Sequence, residues 1–348
     1  MSSPKISVVL SSKNGMPFLP EAVDSILYQS FTDFELLLLD DGSTDDTRIY
    51  METIHDPRVI CIYNERNLGI DGSRNKAFAL AKAPYIAPMD ADDFALAERL
   101  AIQYDFMERN PNVLASGGNI SIYETGEVWK YPSDPRYASF WTLFNAPIAH
   151  SASIFRKQDT YEITHGYPPN LSPSEDYGLW ALLLMSGRGD LTNVDKPLLR
   201  YRTHPGRDRG KYHQIMNEQA DKIRKQLCRW FWGKSFNDTR FLSHKMIAGS
   251  CLINSAKDIN LIIKYLADLI DVNCQKNFLN QSQFEILILE QWISICNTIS
   301  SQLLLITPLL IVENLKKLKM RMSHRLAVAF LKIFLKRFYT LYINKASI

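Results

Sequence analysis

The chain has 348 residues, of which 46% are hydrophobic and 22% charged, an ordinary composition for a globular protein with a buried core. Its net charge of +3 is unevenly spread: residues 313–348 carry +8 and leave −5 on the preceding 312 residues, and a net-acidic body argues against nucleic-acid binding. The five cysteines are odd in number and lack a C-x-x-C pair, which argues against a disulfide framework or a zinc site and indicates a reducing compartment.

The first hundred residues alternate short apolar runs with helical segments. No basic segment followed by an apolar stretch precedes them, so we expect no secretory signal. Strands are predicted at residues 6–10, 34–39, 59–63 and 85–89, and helices near residues 20–29 and 73–81. This alternation predicts right-handed crossovers and an α/β fold built on a doubly wound, mainly parallel sheet.

Polar clusters follow three of the predicted strands, at residues 11–14, 40–43 and 90–93. Doubly wound sheets bind their ligands at the carboxyl ends of their strands. We therefore expect these clusters to lie together at the functional site.

The pattern is mixed from about residue 115 to residue 205 and then becomes helical, with apolar residues at three- and four-residue spacing. Helices are predicted at residues 216–232, 258–272, 284–300 and 315–342. The change places a boundary near residue 212, between a catalytic domain at residues 1–212 and a helical C-terminal region at residues 213–348. The most apolar stretch, residues 286–312, is broken by Glu290, Asn297, Gln302 and Pro308, so we expect buried or interfacial helices there instead of a bilayer span.

Asp90 and Asp92, separated by one residue, lie at the end of a predicted strand. In a turn, two such carboxylates can direct oxygens to one point, which suits Mg²⁺ or Mn²⁺ with positions left open for phosphate oxygens. The alternative interpretation is an acidic loop that caps the following helix.

Asp40 and Asp41 follow the second apolar run, so at least one carboxylate is expected at the mouth of the sheet. There it can accept hydrogen bonds from a base N–H or a ribose hydroxyl. Helix capping by Ser43, Thr44 or Asp45 is an alternative that applies to other residues of the same run.

Glu175 and Asp176 open a predicted helix at residues 177–185. Acids in a first helical turn commonly serve capping and the helix dipole. A carboxylate fixed at a helix start is equally suited to deprotonating an attacking hydroxyl.

Taken together, these motifs resemble the family 2 glycosyltransferases, which have the GT-A fold. The resemblance covers roughly residues 4–210, with the motifs in order. It rests on ISVVLSSKNGMPFLPEAVDSILYQSFTDFELLLLDDGSTDDT (6–47), NLGIDGSRNKAFALAKAPYIAPMDADD (67–93), SPSEDYGLW (172–180) and YRTHPG (201–206).

The resemblance implies a donor site. Ser11 and Asp41 match the positions that contact a uracil-type base, and Asp40 beside them is included in the donor-binding set. Asp90 matches the acid that contacts the ribose, and Arg74 lies where a basic donor-site residue often sits.

The resemblance also implies a cofactor and a catalytic base. Asp92 matches the ligand of a Mg²⁺ or Mn²⁺ ion, and His204 falls where some relatives place a residue that touches the metal or the diphosphate. Asp176 matches the base of an inverting, single-displacement transfer. We interpret His150, in a segment similar to the family's acceptor cleft, as structural.

The sequence therefore predicts an inverting glycosyltransferase that moves a sugar from a nucleotide sugar, expected to be a UDP-sugar, to a hydroxyl of a saccharide or lipid-linked acceptor. By analogy, such enzymes assemble bacterial cell-surface polysaccharide or lipopolysaccharide. One alternative is a sugar nucleotidyltransferase, which usually carries a glycine-rich phosphate loop, whereas residues 11–17 contain only Gly15. Another is a non-catalytic transferase fold acting through its helical tail, which the intact acids at the predicted site argue against.

The tail at residues 313–345 places apolar and aromatic residues at helical intervals, with Lys and Arg between them. A basic amphipathic helix of this kind is typical of a membrane-surface segment. The alternative is a helix packed on its own domain with a solvated basic face. The expected location is the cytoplasm, with attachment to the cytoplasmic face of the membrane if the tail binds lipid.

Overall fold

The computed structural model describes residues 3–203, residues 209–276 and five isolated positions between residues 284 and 295. The chain divides into two compact units, residues 1–230 and residues 231–348. The boundary expected near residue 212 lies close to the start of the long helix Arg209–Trp232. Where the catalytic domain ends stays a prediction.

The described part of the first unit alternates strands and helices along most of its length. The strands are β1 (Ile6–Ser12), β2 (Phe34–Asp40), β3 (Val59–Tyr63), β4 (Tyr85–Asp90), β5 (Phe94–Ala95), β6 (Val113–Ile122), β7 (Val128–Trp129), β8 (Ile154–Arg156) and β9 (Asp190–Tyr201). The helices are α1 (Leu19–Leu27), α2 (Thr47–Glu52), α3 (Gly69–Leu80), α4 (Arg99–Arg109), α5 (Pro135–Thr142), α6 (Lys157–Thr164), α7 (Glu175–Ser186) and α8 (Arg209–Trp232), which continues into the second unit.

The strands form one sheet in the order β3-β2-β1-β4-β8-β6-β9-β5, with β7 paired to β6. The first four strands are parallel, and β6 is parallel to β9. β8 is antiparallel to both of its neighbours. The predicted doubly wound α/β fold is confirmed, and the strand order reverses at β1, the kind of position where such sheets bind ligands.

Apolar side chains of the central strands and their covering helices form the core. Leu19, Ala22, Val23 and Ile26 of α1 are fully buried, at the spacing that places them on one face of a helix. That face packs in a cluster with buried residues of β1, β2 and β4. The packing holds the central strands rigidly, so the residues that follow them are fixed in place.

Helix α8 joins the first unit through its middle turns. Ile223 and Leu227 are buried, and the Nε of Arg224, itself buried, donates to the carbonyl oxygen of Phe144 at 2.7 Å. These contacts explain why the first unit extends beyond residue 212.

The described part of the second unit contains the helices α9 (Asp238–Ile247) and α10 (Ala256–Lys276). The hydroxyl of Tyr265 lies 2.7 Å from His244 Nδ1 and accepts a hydrogen bond from Trp232 Nε1 at 3.2 Å. This buried polar group ties α10 to α9. None of the described helices combines the length and the apolar character that a bilayer span needs. The predicted amphipathic tail at residues 313–345 lies outside the described residues.

Candidate active site

The polar clusters predicted at the strand ends lie side by side at the mouth of the sheet. In the register of the parallel strands, Ser11 of β1 is opposite Asp90 of β4, and Ser12 is opposite Asp40 of β2. The prediction that these clusters lie together at one edge of the sheet is therefore confirmed by the register.

Asp40 is fully buried and hydrogen-bonded within the protein. Its Oδ1 accepts a hydrogen bond from the backbone N–H of Ser43 at 2.9 Å, and its Oδ2 accepts one from the Arg48 guanidinium. Burial alone raises the pKa of Asp40, but the hydrogen bonds from Ser43 and Arg48 outweigh it and hold the pKa below its ordinary value. The carboxylate therefore stays ionised and fixes the loop after β2.

Asp41 is likewise buried, and it organises the start of α3. Its Oδ1 accepts from the backbone N–H of Leu68 at 2.8 Å and from Asn64 Nδ2 at 2.9 Å, and its Oδ2 accepts from the N–H of Gly69 at 3.0 Å. These three donors leave part of the carboxylate's acceptor capacity for a ligand. The predicted base contact thus stays a prediction, while the contact to a helix start is observed.

Arg74 of α3 links two parts of the chain that are far apart in sequence. Its Nη2 donates to Asp90 Oδ1 at 2.8 Å, and its Nη1 donates to Glu175 Oε1. Only 9% of the Arg74 side chain is exposed, and its guanidinium carbon lies 5.8 Å from the centre of the Tyr167 ring. Burial lowers the pKa of Arg74, but the charges of Asp90 and Glu175 together outweigh burial and raise it. The guanidinium therefore holds the end of β4 against the start of α7.

Of the two carboxylates that Arg74 binds, that of Asp90 is the more exposed. Its side chain is 40% exposed, against 5% for that of Glu175. Burial raises the pKa of Asp90, but the charge of Arg74 reverses that effect and lowers it below its usual value. Asp90 is thus an ionised carboxylate that is held in position and open to a ligand.

His150 lies beside this ion pair and fits the structural interpretation. Its Nδ1 is 3.8 Å from Asp90 Oδ1, and its Nε2 is 3.0 Å from the hydroxyl of Tyr167. Burial and the neighbouring Arg74 lower the pKa of His150 to about 3, so the ring is neutral at physiological pH.

The acidic turn, which we define as residues 90–93, continues with two further carboxylates. Asp92 is half-buried, whereas Asp93 is only 3% exposed. Asp93 Oδ1 accepts from the backbone N–H of Arg202 at 3.3 Å, while the buried Oδ2 has no hydrogen-bond partner among the described residues. Burial and the charges of Asp90 and Asp92 raise the pKa of Asp93 well above its usual value.

The acidic turn fits a hard divalent cation better than a soft one, because its donors are all carboxylate oxygens. The buried Oδ2 of Asp93 has no hydrogen-bond partner among the described residues, so the turn has acceptor capacity that its surroundings leave unused. In the described part of the chain, no group of three or more His, Cys, Asp or Glu side chains is arranged to enclose a metal. The residues therefore suit an ion held by one or two carboxylates and completed by phosphate oxygens, as Mg²⁺ commonly is. His204 lies outside the described residues.

Asp176 lies in the first turn of α7, directly after the Glu175 that Arg74 binds. Burial and the charge of Glu175 raise the pKa of Asp176 to about 7. The backbone N–H of Tyr177 donates to its Oδ1 at 2.7 Å. A half-buried carboxyl with a pKa near neutrality suits general-base catalysis, because the group can both take up and release a proton at physiological pH.

The sequence did not identify three side chains that shape this site. Glu175, interpreted with its neighbour as a cap or a base, is the acid that binds Arg74. Tyr131 lies close enough to Asp176 that burial and that charge raise its pKa to about 12. Arg202 contacts the acidic turn. The only local signal for Arg202 was its place in the YRTHPG segment, and Tyr131 had none.

Comparison with known proteins shows that the chain is similar to glycosyltransferases. The family model described as glycosyl transferase family 2 matches residues 7–167. An uncharacterized glycosyltransferase of Haemophilus influenzae is 28% identical over 69% of this chain and 78% of its own length. The Escherichia coli UDP-Glc:alpha-D-GlcNAc-diphosphoundecaprenol beta-1,3-glucosyltransferase WfaP is 32% identical over 58% of this chain and 78% of its own length.

A solved structure shares the fold. The structure of residues 1–349 of S. aureus TarS superposes with a TM-score of 0.55, at 16% identity, over 82% of this chain and 83% of its own. At that identity, the likeness shows a common architecture.

Proposed function

The chain belongs to glycosyl transferase family 2, and we propose that it moves a sugar from a UDP-sugar to an acceptor hydroxyl with inversion at the anomeric carbon. In this proposal, Ser11 and Asp41 form the base end of the donor site, and Asp90 binds the ribose. Asp40, predicted as a further donor-binding residue, is fully buried with both oxygens hydrogen-bonded, so it supports the donor site by fixing the loop after β2. Arg74 belongs to the donor site because its guanidinium fixes Asp90.

The observation that carries the proposal is the bridge that Arg74 makes between Asp90 and Glu175. The bridge brings the end of β4, where a donor diphosphate would lie, against the first turn of α7. Asp176 lies in that turn and is near enough for the charges of Arg74 and Asp90 to act on its pKa. A single displacement requires such an arrangement, because the base and the leaving group act on the same anomeric carbon.

The proposed chemical step uses Asp176 as the base. Its carboxylate accepts the proton of the acceptor hydroxyl while that oxygen forms a bond to the anomeric carbon. The bond from the anomeric carbon to the diphosphate oxygen breaks on the opposite face, and UDP leaves with the bonding electrons. Asp92, with His204, would hold a Mg²⁺ or Mn²⁺ ion, which supplies positive charge near the leaving diphosphate when bound.

UDP and a lipid-linked acceptor are proposed by similarity to the E. coli enzyme, whose name gives UDP-Glc as donor and a diphosphoundecaprenol-linked sugar as acceptor. That acceptor class would place the enzyme at the cytoplasmic face of a membrane, in the assembly of cell-surface polysaccharide or lipopolysaccharide. The basic tail at residues 313–345 would then contact anionic lipid.

A panel of nucleotide sugars tests the proposal. The full chain is mixed with UDP-glucose, UDP-galactose, UDP-N-acetylglucosamine or GDP-mannose, with and without Mn²⁺, and both Tm and nucleotide release are measured. We expect at least one UDP-sugar to raise Tm in a Mn²⁺-dependent way, since a ligand at a hundred times its Kd stabilises by about 2.7 kcal/mol. That sugar should also yield free UDP.

Two outcomes would overturn the proposed function. Release of pyrophosphate from UTP and a sugar 1-phosphate would support the nucleotidyltransferase alternative. Stabilisation by GDP-mannose alone would refute the choice of UDP.

A further inference from the structure

Arg202 makes two contacts with the acidic turn. The residue follows the last position of β9, and its backbone N–H donates to Asp93 Oδ1 at 3.3 Å. Its side-chain Nε donates to the backbone carbonyl oxygen of Asp92 at 3.2 Å. A single residue, about 110 positions away in sequence, thus binds two consecutive residues of the turn.

The Arg202 guanidinium is itself fixed from two further directions. Its Nη2 donates to Glu21 of α1, and Glu21 Oε1 also accepts from the hydroxyl of Tyr123 at 2.7 Å. The guanidinium carbon lies 4.1 Å from the ring centre of Tyr123 and 4.7 Å from that of Phe18. Two aromatic rings and a carboxylate therefore hold the planar group, and the whole Arg202 side chain is 16% exposed.

We propose that Arg202 is a positioning residue for the cation site of the acidic turn. The inference rests on the proposed function, in which Asp92 holds the metal. By fixing the carbonyl oxygen of Asp92 and the carboxylate of Asp93, Arg202 sets the direction in which the Asp92 side chain leaves the backbone. Metal ligands must be held to about half an ångström for productive binding, and the groups that orient them control affinity.

The geometry requires an arginine. Nε and Nη2 point to two different acceptors, on Asp92 and Glu21, while the flat face of the group lies against Tyr123. A lysine has one charged nitrogen and no plane, so it cannot reproduce both hydrogen bonds and the ring contact together.

Arg200, near the end of β9 and two residues before Arg202, provides a matched control. It is exposed, and its guanidinium carbon lies 5.6 Å from the ring centre of Phe94. Replacing Arg200 removes an arginine and a ring contact, as replacing Arg202 does, but it leaves in place the side-chain hydrogen bond from Arg202 to the carbonyl oxygen of Asp92.

The experiment measures the Mn²⁺ concentration that gives half-maximal binding of UDP, by titration calorimetry on the full chain. The variants are Arg202→Lys, Arg202→Gln and Arg200→Gln, each also measured for Tm without ligand. Both Arg202 variants should need about 10- to 100-fold more Mn²⁺ than wild type, the usual effect of removing a group that orients a metal ligand. Arg202→Lys should not restore the wild-type Mn²⁺ requirement. The affinity for UDP without metal should be the same in all variants. Arg200→Gln should need the same Mn²⁺ concentration as wild type.

An Arg202→Lys variant that keeps the wild-type Tm and the wild-type Mn²⁺ requirement would overturn the inference. If both Arg202 variants fail to fold, Glu21→Gln is measured in their place. This substitution weakens the hydrogen bond that holds the Arg202 guanidinium and does not alter any residue of the acidic turn. An unchanged Mn²⁺ requirement in that variant would count against the inference, and a raised one would support it. If wild-type protein shows no Mn²⁺-dependent UDP binding, the proposed function itself falls, and this inference with it.

Discussion

Arg74 Nη2 donates to Asp90 Oδ1 at 2.8 Å, which fixes the first carboxylate of the acidic turn to the helix that follows β3. The same guanidinium donates to Glu175, the first residue of α7. Two segments separated by about 85 residues are thereby held at one position, and Asp176 is placed beside them.

Replacing Arg74 should destabilise the protein strongly. In Arg74→Met the buried Glu175 loses its cation, and removal of one partner of a buried ion pair typically costs about 3–5 kcal/mol. The free energy of unfolding in urea measures this effect. Arg109→Met is the matched control, since the Arg109–Asp105 pair is exposed and such pairs contribute about 1 kcal/mol or less. Equal losses of unfolding free energy in the two variants would show that the Arg74 bridge does not stabilise the fold.

The rate of transfer should rise with pH through the pKa of Asp176. A base acts in its ionised form, and a pKa raised to about 7 leaves Asp176 mostly protonated at acidic pH. Between pH 5.5 and pH 8 the ionised fraction rises from roughly 3% to roughly 90%, so kcat/KM should rise roughly thirtyfold. The pH profile of UDP release in the presence of acceptor measures this. A flat profile over that range would contradict the assignment of Asp176 as the base.

Asp92→Ala should weaken the metal-dependent part of donor binding. Since groups that merely orient a ligand contribute about 10- to 100-fold to metal affinity, loss of the ligand itself should raise the Mn²⁺ requirement at least tenfold. Calorimetric titration of UDP at several Mn²⁺ concentrations measures the change. Asp105→Ala, at an exposed position of α4, is the control and should bind as wild type does. An unchanged Mn²⁺ requirement in Asp92→Ala would remove Asp92 from the metal site.

The basic tail should bind anionic membranes. The variant carries Lys316→Gln, Lys317→Gln, Lys319→Gln and Arg321→Gln in the full chain. Each basic residue near an anionic surface contributes about 1 kcal/mol, so sedimentation with phosphatidylglycerol vesicles should weaken by well over tenfold. Phosphatidylcholine vesicles are the control, and neither protein should sediment with them. Equal sedimentation of wild type and variant with anionic vesicles would favour a tail packed on its own domain.

The sequence predicted the parallel half of the sheet well, because its strands are apolar runs that end abruptly at polar residues. Each predicted run lies within an observed strand, from β1 to β4. β6 and β9 were not predicted. β6 contains Gly117 and Gly118, and β9 contains Pro197, residues that are depleted in strands. A Cβ on Gly117 would lie 2.5 Å from Asn193 Oδ1, so any larger residue there would have to displace the Asn193 side chain.

Which residues lie together at the mouth of the sheet was predicted in part, for a similar reason. Acidic clusters after apolar runs are local signals, and they indicated Asp40, Asp41, Asp90 and Asp92. Ion pairs across the fold leave no local signal, so Glu175 was not identified as the partner of Arg74, 101 positions away. The Arg202 contacts to Asp92 and Glu21 span 110 and 181 positions and could not be predicted for the same reason.

The role of Asp176 as the base is tested by measuring both the rate of sugar transfer and the binding of UDP in Asp176→Asn, with Asp105→Asn as the control. Loss of a general base should lower kcat by about 10²- to 10⁴-fold, because this catalysis contributes that much. Mn²⁺-dependent binding of UDP, measured on the same protein, should stay at the wild-type level. If Asp176→Asn transfers sugar at a near-wild-type rate, then the carboxylate beside the Arg74 bridge is not the base, and the proposed mechanism is wrong.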